Sequence, residues 1–334
     1  MKYLLFRLVA ILVGVTCILF SLELFFRINK KIGYVTTVYK AGPDFGLTSG
    51  GWQRKQYSPV LGFENIPNFR GINSYGLVSK EYRLKKNKDV FRILILGDSV
   101  AEGFDSSLED LLNQGPPPHL QHKFQVWNAA VGAYDIRRYY LYLKNKGLYF
   151  KPDSVVIFFC LNDFNIDSSV YYKDEKGVVR CSFYASSEWM RKRVPNPLLM
   201  QYSYLYRFLI FRLNSYQLGL QEKKEGSSVE IKEGLYYLAG IKDICDRNQL
   251  SLLAVVFPYL KPLSEYEVSQ RKNYENITGA LRELNINFLD LHNYLPQNEL
   301  IQFKQKQEDE IHHKKELNFI YDKIIYNYFL QNLV

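Results

Sequence analysis

Cysteine is scarce in this chain, with four in 334 residues. Cys17 falls inside an apolar run and Cys160 at the end of a strand-like one, so Cys181 and Cys245 remain as the one pair open to a disulfide. Histidine is almost as sparse, with five. His119, His122 and His292 stand apart from any chemical pattern. No pair of histidines has ligand spacing joined to cysteine or carboxylate clusters, which argues against a zinc-type site, and neither metal nor cofactor is expected. Internal repeats and low-complexity tracts are missing as well. The net charge of +9 is dispersed in short clusters, and no recognised nucleic-acid motif accompanies it, so nucleic acid is set aside as a partner. Such a charge suits work near anionic lipid or acidic polysaccharide.

What the chain does carry is concentrated in FRILILGDSVAEGF, residues 91 to 104. In Phe91 to Leu96 the apolar residues run together instead of alternating, the pattern of a parallel strand buried on both faces. Gly97 permits a sharp exit, and Ser99 stands where the strand hands over to a helix. In open α/β sheets ligands bind beyond the carboxyl ends of the strands. A serine there is either a helix N-cap, its commonest role, or a nucleophile. The second reading needs a histidine, an acid and oxyanion donors elsewhere.

Such partners occur in sequence. VWNAAVGAYD holds Asn128 and Gly132, and SVVIFFCLNDF holds Asn162 and Asp163. Near the C-terminus, DEIHHKKELNFIYDKII places Asp309 three residues before His312. In this order of blocks, across roughly residues 90 to 334, the chain resembles the SGNH/GDSL hydrolases. That resemblance implies a nucleophilic Ser99, a C-terminal D-x-x-H of Asp309 and His312, and an oxyanion hole lined by Ser99, Gly132 and Asn162. One departure is visible: the family's third block usually reads G-x-N-D, and Cys160 holds the glycine's place.

The chemistry accounts for these residue types. A serine hydroxyl is a poor nucleophile until a base takes its proton, the role of His312. Asp309 would fix the imidazole tautomer and balance its charge. The N–H groups of Ser99 and Gly132 and the Asn162 amide would meet the developing oxyanion, each donor being worth about 2.7 to 4 kcal/mol. Gly132 suits close backbone approach because it lacks a Cβ. Each residue has a plainer alternative: a cap at Ser99, a solvated side chain at His312, a turn at Asn162-Asp163, a tight bend at Gly132.

Residues 3 to 26 are apolar apart from Arg7 and Glu23, long enough to cross a bilayer, which takes about 20 residues. No A-x-A cleavage site follows, and Thr16 before Cys17 argues against a lipoprotein anchor, so an uncleaved single-pass anchor is expected. Glu23 and Arg27 stand i,i+4 and can pair at the membrane face. Lys2 and Arg7 precede the span while Arg27, Lys30 and Lys31 follow it, so charge does not set the orientation. The resemblance to envelope SGNH proteins implies a catalytic domain outside the cytoplasm, periplasmic or at the cell surface.

The expected organisation is an anchor at 1–30, an irregular extension at 31–90 packed on the catalytic domain, and a hydrolase domain at 91–334. VVIFF, LLAVVF and INFLDL read as further strands, with helices near 231–248, around Ile277 to Leu284, and from Leu317 to Tyr328. The fold class is α/β: a doubly wound parallel sheet with helices on both faces, flavodoxin-like and three-layered. Residues 165–230 interrupt the rhythm with a hairpin-like YYKDEKGVV and an apolar, helix-like stretch. That insertion reads as an active-site cap, ordinary core, or a helix on the membrane surface.

The function expected is a membrane-anchored serine esterase acting on O-acyl groups, O-acetyl above all, of envelope carbohydrate. Its partners would be the acylated carbohydrate or another ester, the membrane, and polysaccharide-assembly proteins of the envelope. Three alternatives stay open: an O-acetyltransferase using the same residues, a lipid-active esterase or thioesterase, and a non-catalytic carbohydrate-binding component.

Overall fold

The structure, a computed structural model, describes residues 2–29, 54–104, 107–115, 122–166, 169–173, 179–184, 196–221 and 229–332. In chain order the elements are α1 (Lys2–Ile28), β1 (Lys55–Ser58), β2 (Gly62–Asn65), β3 (Val90–Gly97), α2 (Ser99–Glu102), α3 (Ser107–Gln114), β4 (Lys123–Asn128), α4 (Ile136–Asn145) and β5 (Ser154–Phe159). There follow β6 (Ser169–Lys173), β7 (Val179–Tyr184), α5 (Pro197–Tyr202), α6 (Tyr204–Gln221), α7 (Val229–Arg247), β8 (Ser251–Val256), α8 (Val268–Glu283), β9 (Asn287–Asp290) and α9 (Lys315–Asn332). They divide into two compact units, Met1–Phe63 with Asp167–Gly226, and Glu64–Ile166 with Ser227–Val334.

The second unit is built on a five-stranded sheet in the order β4-β3-β5-β8-β9, every neighbouring pair parallel. Within this sheet the first strand in sequence lies between the second and third. That is the flavodoxin-like order, with its switch point between β3 and β5. Every residue of β5 is buried, as its continuous apolar run requires of a central strand covered on both faces. On one face Ile93, Ile95, Val156, Phe158, Leu253 and Val255 share a core with Leu108 and Leu112 of α3 and Leu317, Tyr321 and Ile325 of α9. On the other, Tyr139 of α4 meets Phe159 edge-on, and Tyr140 of α4 packs on Tyr237 of α7. The sheet is thus doubly wound.

Register brings three strand ends together. Ile95 pairs with Asn128 and Gly97 with Phe158, so Ser99, Gly132 and Asn162 all follow the carboxyl ends of adjacent strands. The β4 exit keeps tracking β3: Ala129 N–H donates to Ile95 O at 2.9 Å and Val131 N–H to Gly97 O at 3.1 Å.

In the first unit, α1 is a 27-residue apolar helix long enough to cross a membrane. Strands β6 and β7 pair antiparallel, the hairpin read in the sequence. Met200 of α5 and Tyr172 of β6 form a small core against Tyr206 and Ile210 of α6. The 31–53 stretch of the extension and the DEKGV tip of the hairpin, residues 174 to 178, lie outside the described residues.

Candidate active site

The turn that presents Ser99 is capped by its neighbour. Asp98 is the N-cap of α2, its carboxylate accepting the Val100 N–H at 2.9 Å. Ser99 is therefore the first helical residue, and its hydroxyl is released from capping duty. Gly97 is required by crowding: a Cβ there would collide with the Ala101 Cβ and come within 3.3 Å of Phe158. Asn128 pins the far end of this turn, its amide donating to Ala101 O at 2.8 Å and Phe104 O at 2.9 Å. The same side chain accepts Ala130 N–H at 3.0 Å, so one buried asparagine fixes both the serine turn and the β4 exit.

His312 approaches from the loop before α9. Leu260 N–H donates to Glu310 O at 2.8 Å, Lys261 pairs with the Glu310 carboxylate at 2.8 Å, and Gln270 donates to it at 2.9 Å. Asp309 folds the loop on itself. Its Oδ1 accepts the N–H groups of Ile311 at 3.0 Å and His312 at 2.8 Å, and its Oδ2 lies 2.9 Å from His312 Nδ1. Partial burial pushes the Asp309 carboxyl up, but those two N–H groups and the imidazole outweigh it and hold the group below the usual carboxylate range. The three-residue spacing is thus a turn closed by the carboxylate.

At the other ring nitrogen, His312 Nε2 stands 2.9 Å from Ser99 Oγ. A carboxylate on Nδ1 calls for Nδ1–H, which leaves Nε2 to accept the serine proton. Ser99 Oγ also lies 3.4 Å from Asp98 Oδ2. The adjacent His313 is buried and bonded to Asn318, and its burial lowers its pKa. Asn318 in turn donates to Gly103 O at 2.8 Å, tying the first turn of α9 to the residue after α2.

The expected oxyanion donors are arranged unequally. Asn162 is exposed at the β5 exit. Its turn is closed by Asp163, whose N–H donates to Cys160 O at 3.0 Å and whose carboxylate accepts Cys160 N–H at 2.9 Å and Tyr139 O–H at 2.8 Å. A cysteine in the glycine's place therefore leaves this turn closed. Gly132 N–H, by contrast, donates to Glu102 Oε1 at 2.5 Å. A carboxylate thus occupies the donor that the resemblance assigns to an oxyanion.

Two buried carboxyls lie beneath the site. Burial pushes Asp98 up to about 6, with Glu102 adding to the shift and Val100 N–H and His312 opposing it. Burial and the charge of Asp98 drive Asp163 well up, and its Oδ1 has no partner among the described residues. Glu102 and Glu310 were not foreseen as members of this site. Glu102 gives no periodic or spacing signal, and its approach to Gly132 follows from the β3–β4 register and the Asn128 bonds that hold both turns. Among the described residues no group of three or more His, Cys, Asp or Glu side chains could hold a metal ion.

Solved acyl-ester hydrolases resemble this chain. An acetyl xylan esterase, AlAXEase, is 12% identical over 71% of this chain and 99% of its own, with a TM-score of 0.42. The lipase/acylhydrolase from Enterococcus faecalis is 15% identical over 72% of this chain and 95% of its own, at 0.41. Axe2, an acetylxylan esterase from Geobacillus stearothermophilus, is 15% identical over 73% and 94%, at 0.42. No family model matches the chain, and no curated protein matches it. At such identities and scores the functional reading stands on the residues themselves: a hydroxyl, an imidazole and a carboxylate in one hydrogen-bonded line.

Proposed function

We propose that this protein is a membrane-anchored serine esterase of the SGNH/GDSL type that removes O-acyl groups, O-acetyl above all, from cell-envelope carbohydrate. The observation that carries the reading is the line Asp309–His312–Ser99, with 2.9 Å at each of its two contacts to the ring. In the first half-reaction His312 Nε2 takes the Ser99 proton as Oγ attacks the ester carbonyl. The imidazolium, balanced by Asp309, then returns that proton to the leaving alcohol, and an acyl-serine remains. Water, deprotonated by His312, attacks the acyl carbon; Ser99 leaves and recovers its proton. Asn162 and the N–H groups of Ser99 and Gly132 would carry the oxyanion in both halves. Gly132 can do so only once Glu102 has moved off it.

The anchor is α1, and the site would face the extracytoplasmic side, where acylated envelope polymers are found. The full-length protein in detergent, given an acetylated xylo-oligosaccharide, should release acetate, and Ser99→Ala should not. Release by neither protein, with no acyl-Ser99 trapped on acid quench, would sink the esterase reading. Acetate appearing only on an added sugar hydroxyl would replace it with an acetyltransferase.

A further inference from the structure

Within the first unit, the apolar helix α1 has a second helix fastened to its end. Glu23 of α1 accepts the N–H groups of Tyr204 at 3.0 Å and Leu205 at 2.9 Å, and the Ser203 hydroxyl at 2.8 Å. These are the open donors at the start of α6, so a carboxylate from one helix caps another. Arg27 holds Glu23 at 2.8 Å and also donates to Tyr202 O at the end of α5. Phe26 stacks on Phe208 at 4.5 Å. Three side chains of α1, Glu23, Phe26 and Arg27, therefore set the start of α6 level with residues 23–27 of α1.

That level is the edge of the bilayer if α1 spans it. About 20 residues cross the hydrocarbon, and Tyr3–Leu22 already supplies them. The remaining turn of α1 emerges into the headgroup region. A carboxylate there is costly unless paired, and Glu23 is paired four times over.

The inward side of α6 is well packed: Arg207 is buried, with its guanidinium 4.1 Å from the Tyr204 ring centre. Three of the four exposed side chains described on α6 are apolar. Leu209, Leu213 and Tyr216 fall at i, i+4 and i+7, on one helical face, and are 53%, 36% and 65% exposed. Leu198 and Tyr202 of α5 continue the exposed apolar surface. Arg212 is exposed at its flank, and Arg191, Lys192 and Arg193 precede α5 in the sequence. An apolar stripe with Arg212 beside it, held at headgroup depth, is the chemistry of an interfacial helix on an anionic leaflet.

We propose that α5 and α6 lie in the headgroup boundary of the same leaflet from which α1 emerges, with Leu209, Leu213 and Tyr216 in contact with acyl chains. The proposal rests on α1 being a membrane span, and the test separates the two.

Nitroxide labels would be placed singly by Val13→Cys on α1, Leu213→Cys on α6 and Tyr236→Cys on α7, in the full chain carrying Cys17→Ser and Cys181→Ser. Cys160 and Cys245 are buried and stay. In bilayers of phosphatidylethanolamine and phosphatidylglycerol, oxygen (lipid-soluble) and a nickel chelate (water-soluble) would then compete to relax each label. The expected result is oxygen preference at Val13, weaker but clear oxygen preference at Leu213, and nickel preference at Tyr236. Lipid at Val13 with water at Leu213 would overturn the proposal and leave the anchor standing. A Leu213 label shielded from both reagents would mean that a second copy or another protein covers the stripe, which also overturns it. Water at Val13 would remove the anchor and the proposal together.

Discussion

Gly132 N–H donates to the Glu102 carboxylate at 2.5 Å, two residues from different strand exits closing on each other. An ionised group on that donor opposes the negative charge that develops on a substrate carbonyl, because like charges at close range in a partly dry site repel strongly. Removing the charge should ease acylation. Glu102→Gln and Glu102→Ala are expected to raise kcat/KM for a small acetyl ester by about 3- to 10-fold, the equivalent of roughly 1 kcal/mol. A drop of tenfold or more in both variants would instead make Glu102 a participant in the reaction.

On the proposed mechanism the line from Asp309 to Ser99 acts as one device. Asp309→Asn keeps the shape but favours the wrong imidazole tautomer, and kcat should fall by about 10^4. Ser99→Ala and His312→Ala should each abolish measurable turnover, and the double variant should be no worse than either alone, since the residues work as a unit. Steady-state rates on one ester decide this. Additive losses in the double variant would show that the two act separately.

Burial raises Asp98 to about 6, so the folded state holds a proton that the unfolded chain, near 3.9, gives up. Stability from this group is fully present below about 3.9 and is lost as pH rises through about 6. Asp163 is shifted in the same direction. Asp309 and Asp290 are lowered, so their contribution is present above the unfolded value and lost as pH falls through their folded values. Asp98→Asn can keep the cap without the charge. Its Tm should match that of the parent near pH 3.5 and exceed it increasingly up to about pH 6. A Tm difference independent of pH would contradict the buried-charge account.

Gly97 is filled by its surroundings. Gly97→Ala should cost about 1–3 kcal/mol through overpacking against Ala101 and Phe158, and the displaced α2 should carry Ser99 out of line with His312. Denaturant melts and acetate release would check the two effects together. A stable, fully active variant would show that the β3 exit has slack that the close contacts deny.

The sheet was legible where apolar residues run together. FRILIL, VVIFF and LLAVVF lie on the three inner parallel strands, where burial on both faces needs no alternation, and INFLDL lies across the edge strand β9. KFQVWN was not read as a strand: β4 is an edge strand, and Lys123, Gln125 and Asn128 break its apolar run. The helix around 231–248 and the closing helix were placed within two residues at their starts or ends by their 3.6-residue spacing. At the site, the spacing of Asp309 and His312 pointed to a shared turn, and the turn is there. Ser99 was open between cap and nucleophile, and the structure gives the cap to Asp98. Glu102 on Gly132 and Glu23 on α6 could not be read, since each joins segments far apart in sequence through a single carboxylate.

His312 lies 213 residues beyond Ser99, and its loop is held by Leu260, Lys261 and Gln270, which also follow the serine. At synthesis rates of about 5–20 residues per second, the ribosome delivers the base roughly 10 to 40 s after the nucleophile. For that interval Ser99 is an ordinary alcohol. A chain that stalls or is clipped before Asp309 carries Ser99 with neither the imidazole nor the carboxylate of the proposed line, so on that mechanism it would form no acyl-serine.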